Sequence, residues 1–144
     1  MKAKIVLKDE GQRLNVIGDH QQIKFTGEDT NGLFMSVFQD NPPGTQIPMH
    51  VHENEDEVYS LLEGEVEYTV GDKTKLLTSG DTIFLPRKIP HTWKVVGTVN
   101  AKVYLEVFPA GIENMFKELS QLPPGPPDFP KVMEICGRYG VSFV

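Results

Sequence analysis

The sequence has little cysteine: Cys136 is the one thiol among 144 residues. A single cysteine excludes a disulfide bond within the chain and is typical of proteins in a reducing compartment, so we expect a cytoplasmic protein. Cys136 recurs at helical spacing with apolar residues in its neighbourhood. This spacing favours a thiol packed in the core over a reactive thiol.

Positive charge and long apolar runs are also scarce. Lys and Arg number 14 against 20 Asp and Glu, which gives a net charge of −6. No run of basic residues marks a surface for phosphate backbones, so we expect no nucleic-acid partner. No apolar segment approaches the length of about 20 residues that a membrane-spanning helix needs, and the start MKAKIVLKDE lacks the apolar core of a signal peptide. We therefore expect no membrane association.

Glycine and proline are frequent, with 13 and 11 copies, and they separate short segments rich in strand-forming residues. The segments that predict strands are 46–52, 57–62, 65–70, 73–77, 82–85, 91–95 and 101–108. Strands of this length, joined by Gly, Pro and Asp turns about every 8–12 residues, predict an all-β sandwich or barrel.

The segments before residue 46 are less regular. Residues 1–30 predict two or three short strands, with an edge strand over 23–26 and a turn over 27–31. Residues 32–39, GLFMSVFQ, are apolar on both faces, which predicts a strand buried in the middle of a two-layer structure.

The pattern changes after residue 109. Apolar residues recur at helical spacing in two segments, around Met115 and around Ile135, and a connector with five prolines, LPPGPPDFP, separates them. Gly140 is placed to end the second helix. We predict one domain over 1–144, with a β-barrel over 1–109 and a helical extension over 110–144. The helices are expected to cover apolar barrel surface, and a moving lid is the alternative.

Three of the four histidines follow a pattern that suits a metal ion. His50 and His52 are two apart in a predicted strand, so both imidazoles project to the same face. Glu57 follows a short acidic bend, and His91 lies far downstream behind a proline. Two histidines on one face, a carboxylate and a distant third histidine are what a divalent metal with open coordination positions requires. His20 has no such neighbours, which favours a surface histidine.

The same residues resemble the first cupin motif at every anchor. Five residues separate Gly44 from His50, four separate His52 from Glu57, and six separate Glu57 from Gly64. A second set, Gly80, Pro86 and His91, resembles the second cupin motif, and fifteen residues separate Gly64 from Gly80. There Lys88 replaces the usual Gly and Val95 replaces the usual Asn. If the turn after Pro86 needs a positive φ, Lys88 is strained.

The resemblance implies a jelly-roll β-barrel that holds one divalent metal, Fe, Mn, Ni, Zn or Cu, through His50, His52, Glu57 and His91. The C-terminal part resembles single-domain cupins related to quercetin dioxygenase. This implies a dioxygenase that acts on a small enolisable or phenolic, flavonol-like compound, with Glu57 as the catalytic base. Two alternatives stay open: a non-oxidative isomerase, epimerase or lyase, and a ligand-binding cupin without turnover.

Two further expectations concern the surroundings of the metal. Tyr59 and Trp93 share strand faces with Glu57 and His91, and Met35 lies on the predicted buried strand, so these three are candidate pocket residues. The resemblance also implies a homodimer. The alternation of Lys2–Leu7 suits pairing along an exposed sheet edge.

Overall fold

Eleven strands form two antiparallel sheets that face each other across an apolar interior. The computed structural model describes residues 1–144. The strands are β1 Arg13–Val16, β2 Asp19–Phe25, β3 Met35–Asn41, β4 Gln46–His52, β5 Asp56–Glu63, β6 Glu65–Val70, β7 Lys73–Leu77, β8 Thr82–Leu85, β9 His91–Val96, β10 Ala101–Phe108 and β11 Val141–Phe143. The helices are α1 Gly27–Thr30, α2 Glu113–Ser120 and α3 Phe129–Arg138.

The two sheets are arranged as a jelly roll. One has six strands in the order β1-β2-β3-β10-β5-β8, and the other has five in the order β11-β4-β9-β6-β7. Strand β10 alternates buried and part-exposed residues along its length and pairs with β3 and β5. This alternation directs one face of each sheet into a shared core. The predicted all-β jelly roll with two C-terminal helices is confirmed.

The N-terminal region contains two short strands, β1 and β2, within residues 1–30 as predicted, but it differs from its prediction in three respects. Residues 1–12 contain no strand, and β2 lies between β1 and β3 instead of at an edge. The outer partner is the short strand β1. The buried side chain of Lys24 donates hydrogen bonds to the carbonyls of Leu7, Lys8 and Glu10, at 2.8–3.0 Å, and so fixes the preceding segment without a strand. A one-turn helix, α1, replaces the predicted turn.

The C-terminal region returns to the sheet. After α3, Gly140 adopts a positive φ of 75°, and the chain enters β11, which sequence patterns did not predict. Strand β11 pairs with the histidine strand β4, so that Val141 lies opposite His52 and Phe143 opposite His50. The described helices all lack the length and apolar character that crossing a membrane requires.

Candidate metal centre

The four predicted ligands come from three strands in the two facing sheets. His50 and His52 lie on β4, and His91 begins the neighbouring strand β9, directly opposite His50 in the register. Glu57 lies on β5 in the other sheet. All four side chains are buried, and one potential ligand atom from each lies within 4.8 Å of the others. The structure therefore brings together every residue of the predicted ligand set.

Backbone carbonyls orient two of the imidazoles. Nδ1 of His50 lies 2.8 Å from the carbonyl oxygen of Pro48, and Nδ1 of His91 lies 3.3 Å from that of Ile89. A carbonyl oxygen only accepts hydrogen bonds, so Nδ1 carries the proton in each ring. The lone pair is then on Nε2, which is the atom left free to bind a metal.

A carboxylate orients the third imidazole. Nδ1 of His52 lies 3.3 Å from Oε2 of Glu55, and both side chains are buried. The composition of the acidic bend 53–56 favours a solvated loop, but Glu55 is buried. The sequence contains a signal for this contact, because a carboxylate three residues after a candidate histidine ligand can hydrogen-bond the second ring nitrogen of that histidine.

The electrostatics keep two of the ligands, Glu57 and His50, in metal-binding protonation states. Burial raises the pKa of Glu57, but the neighbouring histidines, His52 first, outweigh burial and lower that pKa to about 2. Burial, aided by His91, lowers the pKa of His50 to about 4. For His52, burial lowers the pKa, but Glu57 and Glu55 outweigh burial and hold that pKa above its ordinary value. Near neutral pH, Glu57 is thus an anion and His50 is neutral, the forms that coordinate metals.

Two atoms in the cluster lack a hydrogen bond. Oε2 of Glu57 and Nε2 of His91 are 2.9 Å apart, but neither makes a hydrogen bond, because both are acceptors when the His91 proton is on Nδ1. Buried polar atoms without partners are unfavourable and rare in native proteins. A divalent cation among the four ligand atoms gives both atoms a partner, so the residues present fit a metal ion. Three neutral imidazoles and one carboxylate suit Fe, Mn, Ni, Zn or Cu and leave a residual charge of about +1.

A cavity of about 50 Å³ lies beside the cluster, and His50, His52 and Glu57 form part of its wall. Tyr59 and Trp93 also line this cavity. The other lining residues are mainly apolar, and α2, α3 and β11 supply six of them: Met115, Phe116, Leu119, Cys136, Val141 and Phe143. The C-terminal segment therefore closes the space in front of the metal ligands.

Met35 does not line the cavity. Its side chain is fully buried in the apolar core, so it has no surface facing the open space. Cys136 is buried as predicted, and burial raises the pKa of its thiol to about 11, which keeps it protonated. Burial also raises the pKa of Tyr59, so this residue presents a neutral phenol.

Three other positions noted in the sequence are His20, Lys88 and Val95. His20 is exposed and lies outside the ligand cluster. Lys88 has a φ of 68°, the left-handed conformation that the family motif assigns to Gly, so the expected backbone strain is present. The backbone N–H of Lys88 donates to the carbonyl of His52, which ties this turn to the histidine strand. Val95 is buried in the core.

Comparisons with known proteins agree with this fold. A family model described as "Cupin domain" matches residues 37–108, half of the chain. The quercetin 2,3-dioxygenase of Bacillus subtilis is 30% identical over 86 residues, which are 60% of this chain but 26% of that protein. An uncharacterised protein of Methanocaldococcus jannaschii is 32% identical over 68 residues, 47% of this chain and 54% of that protein. The chain thus spans about a quarter and about half of these two relatives.

Among solved structures, KdgF from a Halomonas species superposes with a TM-score of 0.67. The match covers 78% of this chain and 99% of that one, at 18% sequence identity. At this identity the likeness establishes the fold and leaves the chemistry to the residues of the site.

Proposed function

This chain belongs to the cupin family, and from that premise we propose that it is a metal-dependent dioxygenase acting on a small enolisable compound. The observation that carries the proposal is the buried cluster of His50, His52, Glu57 and His91, with two of its atoms unpaired. Four protein ligands leave two positions open on an octahedral ion. Structural zinc sites, in contrast, are closed and rich in sulfur.

The open positions suit a compound with two adjacent oxygens, such as an enediol. When bound, the divalent ion supplies positive charge that lowers the pKa of a chelated enediol, together with redox activity toward dioxygen. Glu57, the buried carboxylate of the cluster, would accept the enediol proton. The apolar wall, including Trp93 and Phe143, excludes water from the reacting atoms.

The proposed reaction balances without a further reductant. One enediol, RC(OH)=C(OH)R′, and one dioxygen give two carboxylic acids, RCOOH and R′COOH. The carbon–carbon double bond breaks, each of its carbons gains one oxygen atom, and dioxygen accepts four electrons. Glu57 takes up a proton at the start and returns it to a product carboxylate.

The size of the cavity restricts the substrate. Small-molecule sites commonly have about 300–1,000 Å³, whereas this cavity has about 50 Å³, enough for about four water-sized atoms. A flavonol does not fit in that space while α2, α3 and β11 cover it. The cavity therefore favours the smallest enediols or hydroxyketones, of about three carbons, over a flavonol-like substrate.

Oxygen consumption tests the proposal. The purified protein, loaded separately with Fe²⁺, Mn²⁺, Ni²⁺, Zn²⁺ or Cu²⁺, is mixed with reductone, pentane-2,4-dione or quercetin in an oxygen electrode. We expect uptake of one dioxygen per reductone and carboxylic acid products with at least one of the redox-active metals. Substrate conversion under argon instead indicates the isomerase, epimerase or lyase alternative. Ligand-induced thermal stabilisation without any product indicates a binding protein, and both results contradict the proposal.

We also propose a homodimer in the cytoplasm. The exposed segment Lys2–Leu7, with Ile5 83% and Leu7 61% exposed, offers apolar side chains and, over residues 2–6, free backbone groups to a second copy. Light scattering at micromolar concentration is expected to give twice the chain mass of 16.1 kDa. A monomer mass contradicts this part of the proposal.

A further inference from the structure

A second buried polar group lines the same cavity as the metal ligands. Asp19 and Gln21 are alternate residues of β2, so their side chains project to the same face of the sheet. Both residues are 4% exposed, and both line the cavity together with His50 and Glu57. The mainly apolar wall of the cavity thus contains two sets of polar side chains, the metal ligands and the pair on β2.

Asp19 is held by three amide groups. Its Oδ2 accepts hydrogen bonds from Nε2 of Gln21 at 2.9 Å and from Nε2 of Gln39 at 2.8 Å. Its Oδ1 accepts one from Nδ2 of Asn41 at 2.8 Å. Burial raises the pKa of Asp19, and these three donors oppose the rise because they bind the carboxylate form. The three amides thus give both carboxylate oxygens of Asp19 a hydrogen-bond donor.

The same network fixes the orientation of the Gln21 amide. A carboxylate only accepts hydrogen bonds, so the NH₂ group of Gln21 must face Asp19 and the amide oxygen must face away. That oxygen, Oε1, is buried and has no hydrogen-bond partner. Such an orphaned acceptor is unfavourable unless a ligand supplies a donor. Two of the other orphaned buried atoms, on Glu57 and His91, belong to the metal centre.

We propose that Gln21 is a specificity-determining residue that accepts a hydrogen bond from a hydroxyl group of the chelated substrate. Asp19 is the positioning residue that holds the Gln21 amide in the accepting orientation. The inference rests on the proposed function, since it needs a ligand that binds the metal with one end and reaches Gln21 with the other. It narrows the substrate class to small enediols or hydroxyketones with a further hydroxyl group.

The charges around the cavity exclude an acidic group on the part of the substrate that faces Gln21. The cavity wall contains no Lys or Arg side chain, and Asp19 lies directly behind the Gln21 amide. A carboxylate or phosphate placed there meets an acceptor oxygen and a buried carboxylate without a countercharge. A neutral hydroxyl group instead satisfies Oε1 without introducing charge. The substrate is therefore neutral at the end that faces Gln21.

Three hydroxamates test this inference without turnover, because they chelate metals through two oxygens and differ only at the distal end. Acetohydroxamate ends in a methyl group, glycolohydroxamate adds a hydroxyl group, and malonomonohydroxamate adds a carboxylate. Calorimetry on the Zn²⁺-loaded protein is expected to show glycolohydroxamate binding about five- to ten-fold more tightly than acetohydroxamate. Malonomonohydroxamate is expected to bind most weakly.

A matched pair of variants assigns the preference to Gln21. Gln21→Met removes the acceptor at nearly constant size and is expected to abolish the preference for glycolohydroxamate. Gln39→Met is the control, because Gln39 lies opposite Gln21 in the β2–β3 register and also donates to Asp19, but does not line the cavity. This control is expected to keep the preference. If Gln21→Met does not fold, the ranking of the three ligands by the wild type still decides.

The outcomes separate this inference from the proposed function. Equal binding of acetohydroxamate and glycolohydroxamate by the wild type, or loss of the preference in both variants alike, overturns the role of Gln21 alone. No binding of any hydroxamate to the metal-loaded protein overturns the chelating function and this inference together.

Discussion

Two buried polar clusters share one cavity, and they differ in how their hydrogen bonds are completed. Around Asp19, three side-chain amides satisfy both carboxylate oxygens. Around Glu57, the carboxylate has three histidines for neighbours, and one of its oxygens is left without a hydrogen bond. Both carboxylates are almost inaccessible to solvent, at 4% and 2% exposure. Burial alone therefore does not distinguish a structural carboxylate from a ligand, whereas the unpaired atoms do.

The two clusters contribute to the protein in different ways. A carboxylate whose donors all come from the protein stabilises the fold, and its loss leaves buried donors without partners. A carboxylate among imidazoles with free lone pairs is completed by a cation, and its loss affects the cation and the chemistry. The variants below separate these two roles, beginning with the largest expected effect.

The first variant is Glu57→Gln. The amide oxygen can still coordinate, but the negative charge and the basic lone pair that accepts a substrate proton are lost. We expect turnover of reductone to fall by about 10²–10⁴-fold, while metal content falls much less. Parallel measurements of oxygen uptake and metal per chain check this. Unchanged turnover contradicts the role of Glu57 as the base.

The second set removes each histidine in turn: His50→Ala, His52→Ala and His91→Ala. Each variant loses one of four protein ligands, so metal affinity is expected to fall by about 100-fold or more. His20→Ala is the matched control, since His20 is exposed and lies outside the cluster. Elemental analysis after dialysis gives the metal per chain. An equal loss in the His20 control shows that the site has been assigned to the wrong residues.

The third variant is Asp19→Ala. It leaves the amides of Gln21, Gln39 and Asn41 without their shared acceptor, so we expect the free energy of unfolding to fall by about 2–3 kcal/mol. Metal per folded chain should stay unchanged. Urea denaturation of this variant and of Asp72→Ala, an exposed turn position, provides the comparison. Loss of metal without loss of stability reverses the roles given to the two clusters.

The fourth variant, Glu55→Gln, probes the orientation of one ligand. An amide can present its NH₂ group to Nδ1 of His52 and move the proton to Nε2, the atom needed for the metal. We expect metal affinity to fall by about ten-fold. Glu53→Gln, at an exposed position of the same loop, should bind metal like the wild type. Competition titration with a chromogenic chelator measures both, and equal affinities contradict the positioning role of Glu55.

Sequence patterns predicted most of the sheet architecture. Strands such as β6, with Val66 and Tyr68 inward, follow the alternation of one buried and one exposed face. The ligand set also came from sequence, because two histidines two residues apart in a strand necessarily share a face. These features depend on local periodicity, which a single sequence contains.

Features that depend on distant partners were missed. Strand β11 has three residues and forms only because β4 lies beside it. Glu55 is buried because it bonds His52, although the surrounding segment is polar. The polar cluster around Asp19 joins β2 to β3 across the sheet, and the periodicity of neither strand predicts it. The position of Met35 on a predicted buried strand makes it a candidate pocket residue, but its side chain packs in the core and does not reach the cavity.

The most direct test of the metal centre is anomalous diffraction from crystals of the wild type loaded with the metal that it retains best. The account predicts one strong peak at that metal's absorption edge, about 2.0–2.2 Å from Nε2 of His50, His52 and His91 and from a carboxylate oxygen of Glu57. A peak bound elsewhere, or no peak together with a direct hydrogen bond between His91 and Glu57, contradicts it.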